Sequence, residues 1–213
     1  MSRRRGVGPS QYPADGLFAR LRRRWRWHAG GYGRLAQLLP SEGRIVDLGA
    51  GWGLFAHALA AGGEARRVLA VEADPRRVAA LRASAAELPI AVLEDDPRTV
   101  SLPPTDAVAL VDVLQHLDEE QQADVVHRAL RALLPGGMIL LRTPDATATF
   151  RMVWTRLREA MMPRKRLPGP RARAYRASEA WVELLEGYGL KARALPPSSL
   201  SPWADRVVVG TWT

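Results

Sequence analysis

Residues 46–56, "VDLGAGWGLFA", place three glycines at alternate positions, after an apolar run and before a helical stretch, with Asp47 two residues ahead of the first. Glycine lets the backbone bend tightly and approach a ligand with no Cβ in between, so a strand that ends this way and feeds a helix is the nucleotide-binding turn of an open α/β sheet. The surrounding chain agrees. From residue 44 to 143 short apolar runs alternate with helical ones, the pattern of repeated βα units on a parallel sheet. "RIVDLG" reads as a first strand and Leu54 to about Ala61 as a helix. "RVLAVEAD" is a second strand, followed by a helix opened by Pro75 at a first-turn position. "PIAVLEDD" and "TDAVALVDVL" are the third and fourth strands. "DEEQQADVVHRALRALLPGG" is a helix with an acidic first turn and a Pro-Gly-Gly stop, and "MILLRTPD" is the fifth strand. "SEAWVELLEGYG" reads as a helix capped by Ser178, and "LKARALP" and "DRVVVGTWT" as the last two strands.

The spacing of the turn discriminates between ligands. A dinucleotide fingerprint wants a third glycine where this chain has Leu54; Gly53 comes one position early. Asp47 points the same way, because a carboxylate there opposes a pyrophosphate and suits a ligand with an ammonium group. Glu72 closes the second strand, where a carboxylate accepts the two hydroxyls of a ribose. The 213 residues contain no cysteine, which removes disulfides, thiolate metal sites and a cysteine nucleophile. Four scattered histidines form no metal constellation, so no metal is expected. No run approaches the roughly 20 apolar residues of a spanning helix, and the basic N-terminus lacks the apolar core of a secretion signal. A cytoplasmic protein is therefore the expectation.

"DLGAGWG", "AVEAD" and the βα alternation resemble the class I methyltransferases that use S-adenosyl-L-methionine, over roughly residues 40–143 and through the last two strands. The resemblance implies a Rossmann-like three-layer α/β sandwich, with a seven-stranded, mostly parallel sheet in the order 3-2-1-4-5-7-6 whose last strand is antiparallel. It also implies a site. Asp47 would orient the amino acid part of the cofactor, Gly49, Gly51 and Gly53 would shape its floor, Glu72 would hold the ribose, and Asp112 would border it. In "LEDDP" Asp95, in preference to Asp96, would approach the adenine amino group. Trp52 departs from the small or polar residues usual within such a turn; it would wall the cofactor or pack on the N-terminal helix.

Absent residues narrow the acceptor. "DVLQHL" after the fourth strand is unlike the Asn/Asp-Pro-Pro-Tyr stretch of adenine and glutamine methylation, the missing cysteine excludes pyrimidine C5 chemistry, and no Asp-Asn step supports metal-dependent catechol methylation. Oxygen on a small or lipid-like molecule remains, with a loose resemblance to small bacterial methyltransferases of polyketide and aryl-polyene-like secondary metabolism. His116, at the fourth strand's exit, is the candidate base, since imidazole titrates near neutral pH; the alternative is that it packs beneath the cofactor. His57 and His127 read as surface residues of helices.

Charge marks the cover of this site. Residues 1–40 hold nine arginines against Asp15, and residues 151–176 nine Lys/Arg against Glu159, so each carries +8 and the rest of the chain −7 of the net +9. Such an acidic body with two basic segments suggests an anionic partner met by those segments. The chain divides into a basic N-terminal arm and amphipathic helical cap, 1–40, and a methyltransferase domain, 41–213, with a basic substrate-cover insertion at 147–176. Leu17, Leu21, Trp25, His28, Tyr32, Leu35 and Leu39 follow helical steps. Trp25, His28, Tyr32, Arg142, Asp145, Trp154 and Tyr175 are the candidate acceptor residues. The arginine rim suits a small-molecule or lipid-like substrate, anionic or carrier-protein-bound, or peripheral contact with a membrane surface. Arginine interleaved with aromatics also suits RNA, as a methyltransferase or a binding protein, and a non-catalytic cofactor-binding partner is a third reading.

Overall fold

A computed structural model describes residues 30–147, 155, 174–196 and 204–212. Trp25, His28, Trp154 and most of the two basic segments lie outside the described residues. The described chain runs α1 (Tyr32–Ala36), β1 (Glu42–Leu48), α2 (Leu54–Ala61), β2 (Ala65–Glu72), α3 (Pro75–Ala85), β3 (Ile90–Glu94), β4 (Thr105–Val111), a 3₁₀ turn (Leu114–His116), α4 (Glu119–Arg131), β5 (Leu133–Pro144), α5 (Ser178–Gly187), β6 (Leu190–Ala194) and β7 (Asp205–Trp212).

The seven strands form one sheet in the order β3-β2-β1-β4-β5-β7-β6. The first five are parallel, and β7 runs antiparallel to both β5 and β6. Central strands covered on both faces need apolar side chains in both directions, and β4, "TDAVALV", buries every residue but Asp106. Alternation then splits the core: Ile45, Val68 and Leu140 pack with α1, α2 and α3 on one face, whereas Val46, Leu110 and Leu141 pack with α4 and α5 on the other. This is a three-layer α/β sandwich.

Local chemistry starts the helices. Pro75 opens α3 behind Asp74, whose side chain accepts from the Arg76 N–H at 3.0 Å. Asp118 and Gln121 close a reciprocal capping box at α4. Three expectations need correction. The helix at α5 is not capped by Ser178: Ala177 is the N-cap, and Ser178 Oγ donates instead to Asp145 Oδ2 at 2.9 Å. The Pro-Gly-Gly segment does not precede β5 but lies within it, since Gly136 adopts φ 75° and the pairing with β4 shifts register between Thr105 and Ala107. His57 is not a surface residue; it is fully buried in α2, a helix packed on all sides.

Candidate functional site

Each of the five parallel strands carries, within one residue of its carboxyl end, a carboxylate that the sheet order brings to one edge. Asp95 follows β3, Glu72 ends β2, Asp47 is the penultimate residue of β1, Asp112 follows β4 and Asp145 follows β5. The carboxyl ends of parallel strands are where open α/β sheets bind ligands. The glycine turn sits between the second and third of these acids, and its N–H groups bind back to the neighbouring strand, Gly49 and Ala50 to the Val71 carbonyl at 2.9 and 2.8 Å.

All three glycines have positive φ, but their surroundings differ. A Cβ at Gly53 would lie 2.1 Å from Leu81 Cδ1, so this glycine is required by the packing of α3 against the turn. At Gly51 a Cβ would meet nothing within 4 Å. Gly51 therefore presents bare backbone to open space, and its N–H donates to Glu72 Oε2 at 2.7 Å. Glu72, 5% exposed, also accepts from the Asp74 N–H at 3.0 Å and lies 3.7 Å from Arg77. Arg77, which no sequence motif singles out, lies 6.0 Å from the Trp52 ring, so Trp52 meets α3.

Asp95 is exposed and its Oδ1 accepts from the Asp96 N–H at 2.7 Å. The Asp96 carboxylate is held by Arg98, at 2.5 Å, and that pairing keeps it below the usual carboxylate range. Of the two acids, Asp95 is thus the one with no arginine partner among the described residues.

Beyond β1 the acids are engaged by the protein itself. Asp112 has φ 58°, a strained value for a residue other than glycine. Arg142 grips its carboxylate with two hydrogen bonds, Nε at 3.0 Å and Nη2 at 2.5 Å. Arg142 is buried; its Nη1 donates to the Gly30 carbonyl, and its guanidinium lies 4.8 Å from the centre of the Tyr32 ring. Burial works against the Arg142 charge, but Asp112, with Tyr32 and Asp205, outweighs it and holds its pKa above the usual arginine value. Tyr32, buried in α1, packs on Phe55 of α2 as well. Asp145 is equally occupied. Its Oδ1 accepts from Thr147 N–H and Oγ at 2.9 and 2.7 Å, and its Oδ2 from Ser178 Oγ and Arg206 Nε at 2.9 and 3.2 Å. Burial raises its pKa, and these donors more than reverse that. The polar atoms of Asp112 and Arg142 thus bind one another, and those of Asp145 bind Thr147, Ser178 and Arg206.

His116 ends the 3₁₀ turn after β4 and is half-buried, as is Tyr175 on the segment that returns beside that turn. Ala174 N–H donates to the Leu117 carbonyl at 3.2 Å. The structure therefore brings His116 and the Tyr175 segment together at the carboxyl end of β4, next to Gly49, where a Cβ would lie 2.6 Å from Val113. Gln122 and Arg176, which join these pieces, are not marked by any motif. Gln122 could have been found, because it falls on the helical stripe Gln122, Val125, Val126, Ala129 and Leu130.

Residues 45–137 match the family model described as a methyltransferase domain. No curated protein matches the chain in sequence. Among solved structures, its fold is similar to that of an O-methyltransferase family protein from Burkholderia thailandensis, with TM-score 0.71 and 14% identity, over 92% of this chain and 59% of that one. It is similar also to a methyltransferase of calicheamicin biosynthesis in its SAH-bound form, with TM-score 0.67 and 19% identity over 92% and 58%. A third, a possible histamine N-methyltransferase from Thermotoga maritima, has TM-score 0.65 and 20% identity over 92% and 96%. The chain thus spans less than two thirds of the first two proteins, and at these identities the likeness is one of fold.

Proposed function

We propose, from the premise that this chain is a class I, Rossmann-like methyltransferase, that it uses S-adenosyl-L-methionine to methylate an oxygen of a small or lipid-like acceptor. The observation that carries the reading is the line of carboxylates beside bare backbone: Asp95, Glu72 and Asp47 in strand order, with Gly51, where a Cβ would meet nothing within 4 Å. The donor set fits the cofactor. Asp47 suits its ammonium group, Glu72 its ribose hydroxyls, Asp95 its adenine amino group, and Gly51 lets the ligand approach without a side chain in the way. When bound, the cofactor supplies an already activated methyl on a sulfonium.

The chain's own task is then to align an acceptor and exclude water. His116 accepts the hydroxyl proton at the β4 exit, and Tyr175 and Tyr32 border the acceptor. The Asp112–Arg142 pair ties Gly30 to the ends of β4 and β5. The two +8 segments favour an acceptor with an anionic group or one presented on an anionic carrier or surface. The loss of the C5, amine and metal-dependent signatures supports oxygen as the methylated atom, and likeness in fold to an O-methyltransferase family protein is consistent with it.

Calorimetry on wild type and Asp47→Ala, with S-adenosylmethionine and NAD side by side, tests the pocket. Binding of the first alone, weakened at least tenfold by the substitution, is expected. A screen of phenolic and acyl acceptors with His116→Ala tests the base: turnover should fall on the order of a hundredfold with cofactor affinity kept. Salt-sensitive RNA binding without small-molecule turnover would instead favour an RNA substrate.

A further inference from the structure

The turn that carries His116 is held by one buried amide. Gln122 lies in the charged stretch "DEEQQAD" yet is 1% exposed. Its Nε2 donates to the carbonyls of Leu114 and Ala174, each at 2.9 Å, with that of Leu117 at 3.4 Å, and its Oε1 accepts from Arg176 Nε at 3.0 Å. Only one orientation of the amide satisfies these partners. Flipped, its oxygen would face carbonyl oxygens and its NH₂ a guanidinium.

Leu114 and Leu117 bracket Gln115 and His116, and the turn closes on itself through His116 N–H to Val113 and Leu117 N–H to Leu114, both at 3.0 Å. The facing segment is equally tied. Arg176 Nη2 donates to the Glu119 carbonyl at 2.8 Å, its own carbonyl accepts from Ala146 N–H at 3.3 Å, and its guanidinium lies 5.2 Å from the Trp181 ring. Tyr175 thus sits between two anchored residues, on the same hydrogen-bonded unit as His116. Helix capping does not demand this glutamine, since Asp118 and Gln121 already complete the cap of α4. Nor does packing, since the same stripe continues with Val125 and Val126.

We propose that Gln122 is a positioning residue for methyl transfer: its amide locks the backbone on both sides of His116 to the segment carrying Tyr175, so that an acceptor held against the tyrosine is registered against the imidazole. This rests on the assignment of His116 and Tyr175 to the acceptor side. Arg176 serves the lock by fixing the amide's oxygen, and the β5 exit joins it through Ala146. A neutral, unbranched residue without donors would fill the space and release the turn.

The test is NMR of histidine-labelled protein, whose four rings, His28, His57, His116 and His127, are assigned by substitution. In Gln122→Met the His116 ring signals should move or broaden, those of His57 should stay in place, and S-adenosylhomocysteine affinity should remain within about twofold of wild type. With an accepted substrate, kcat should fall on the order of tenfold with a smaller change in KM, as for a group displaced from its reacting geometry. Unmoved His116 signals in the folded variant, or an equal disturbance of His57 with lost ligand affinity, would overturn the proposal. If Gln122→Met does not fold, Arg176→Met frees the amide from a half-buried position, and unmoved His116 signals in that variant would overturn the proposal equally. The base assignment fails separately: full turnover in His116→Ala removes the catalytic role, while the NMR result still decides the lock.

Discussion

Arg142 can hold a charge at 5% exposure because Asp112 accepts two of its N–H groups, the Gly30 carbonyl a third, and the Tyr32 ring covers its face. The pair also explains the backbone of Asp112. A φ of 58° is tolerated by aspartate better than by most residues, and it persists only where surrounding bonds over-determine it. Both residues could be picked out of the sequence as strand-end polar groups, but not their partnership, which depends on β4 lying beside β5 with Val111 opposite Arg142. Arg142→Met leaves a largely buried carboxylate without its counter-charge and should cost about 3–5 kcal/mol in urea unfolding. Arg142→Met with Asp112→Asn should lose clearly less than the sum of the single changes, because no uncompensated charge remains. Additivity within about 0.5 kcal/mol would show that the two residues do not act as a pair.

At the scale of elements, the periodic signals were the legible ones. Strands covered on both faces read as apolar runs, and Asp47 and Glu72 could be placed at strand ends before their geometry was known, because a turn signal followed each. Two features resisted for the same reason, that they depend on partners distant in sequence. The passage of β5 through Pro135, Gly136 and Gly137 depends on a shifted pairing with β4. Arg66, in "ARRVLAVE", looks like one of a row of solvated arginines but is 2% exposed. Its guanidinium donates to the carbonyls of Pro40, Leu59, Ala36 and Leu39, at 2.6, 3.1, 2.7 and 2.8 Å. It thereby closes the C-terminal ends of α1 and α2 together, satisfying carbonyls that a helix cannot satisfy itself. Burial lowers its pKa, yet no carboxylate is needed where several carbonyl dipoles converge. Arg66→Met should therefore cost on the order of 3 kcal/mol and lower Tm by roughly 6–12 °C, read by calorimetry. A loss under about 1 kcal/mol would mean that water reaches these carbonyls and that α1 is held by the packing of Tyr32, Leu35 and Ala36.

For the whole molecule, the pH dependence of stability should turn on a histidine at the hinge of the glycine turn. His57 is buried, with Nδ1 2.6 Å from the Gly53 carbonyl and Nε2 3.2 Å from that of Ser84, so it joins α2 to α3 beneath the candidate cofactor site. Burial lowers its pKa from 6.5, and the two carbonyls oppose the shift without reversing it. The sign follows from proton counts. Below 6.5 the unfolded chain takes up a proton that the folded chain resists, so stability is full above that value and declines as pH falls toward the lowered folded value. Each unit of lowering corresponds to about 1.4 kcal/mol. Asp96 and Asp145, also lowered, contribute in the same direction, but only from 3.8 downward, below the interval between pH 6.5 and about 5 where His57 acts. Urea midpoints across that interval should fall in the wild type and stay nearly level in His57→Gln, which keeps a donor for the Gly53 carbonyl and cannot ionise. Were the variant to keep the full slope, the joint between glycine turn and α3 would be insensitive to protons. A level profile in the variant would mean that acidification acts through the joint between the glycine turn and α3, so that ligand affinity and fold stability should decline together over that interval.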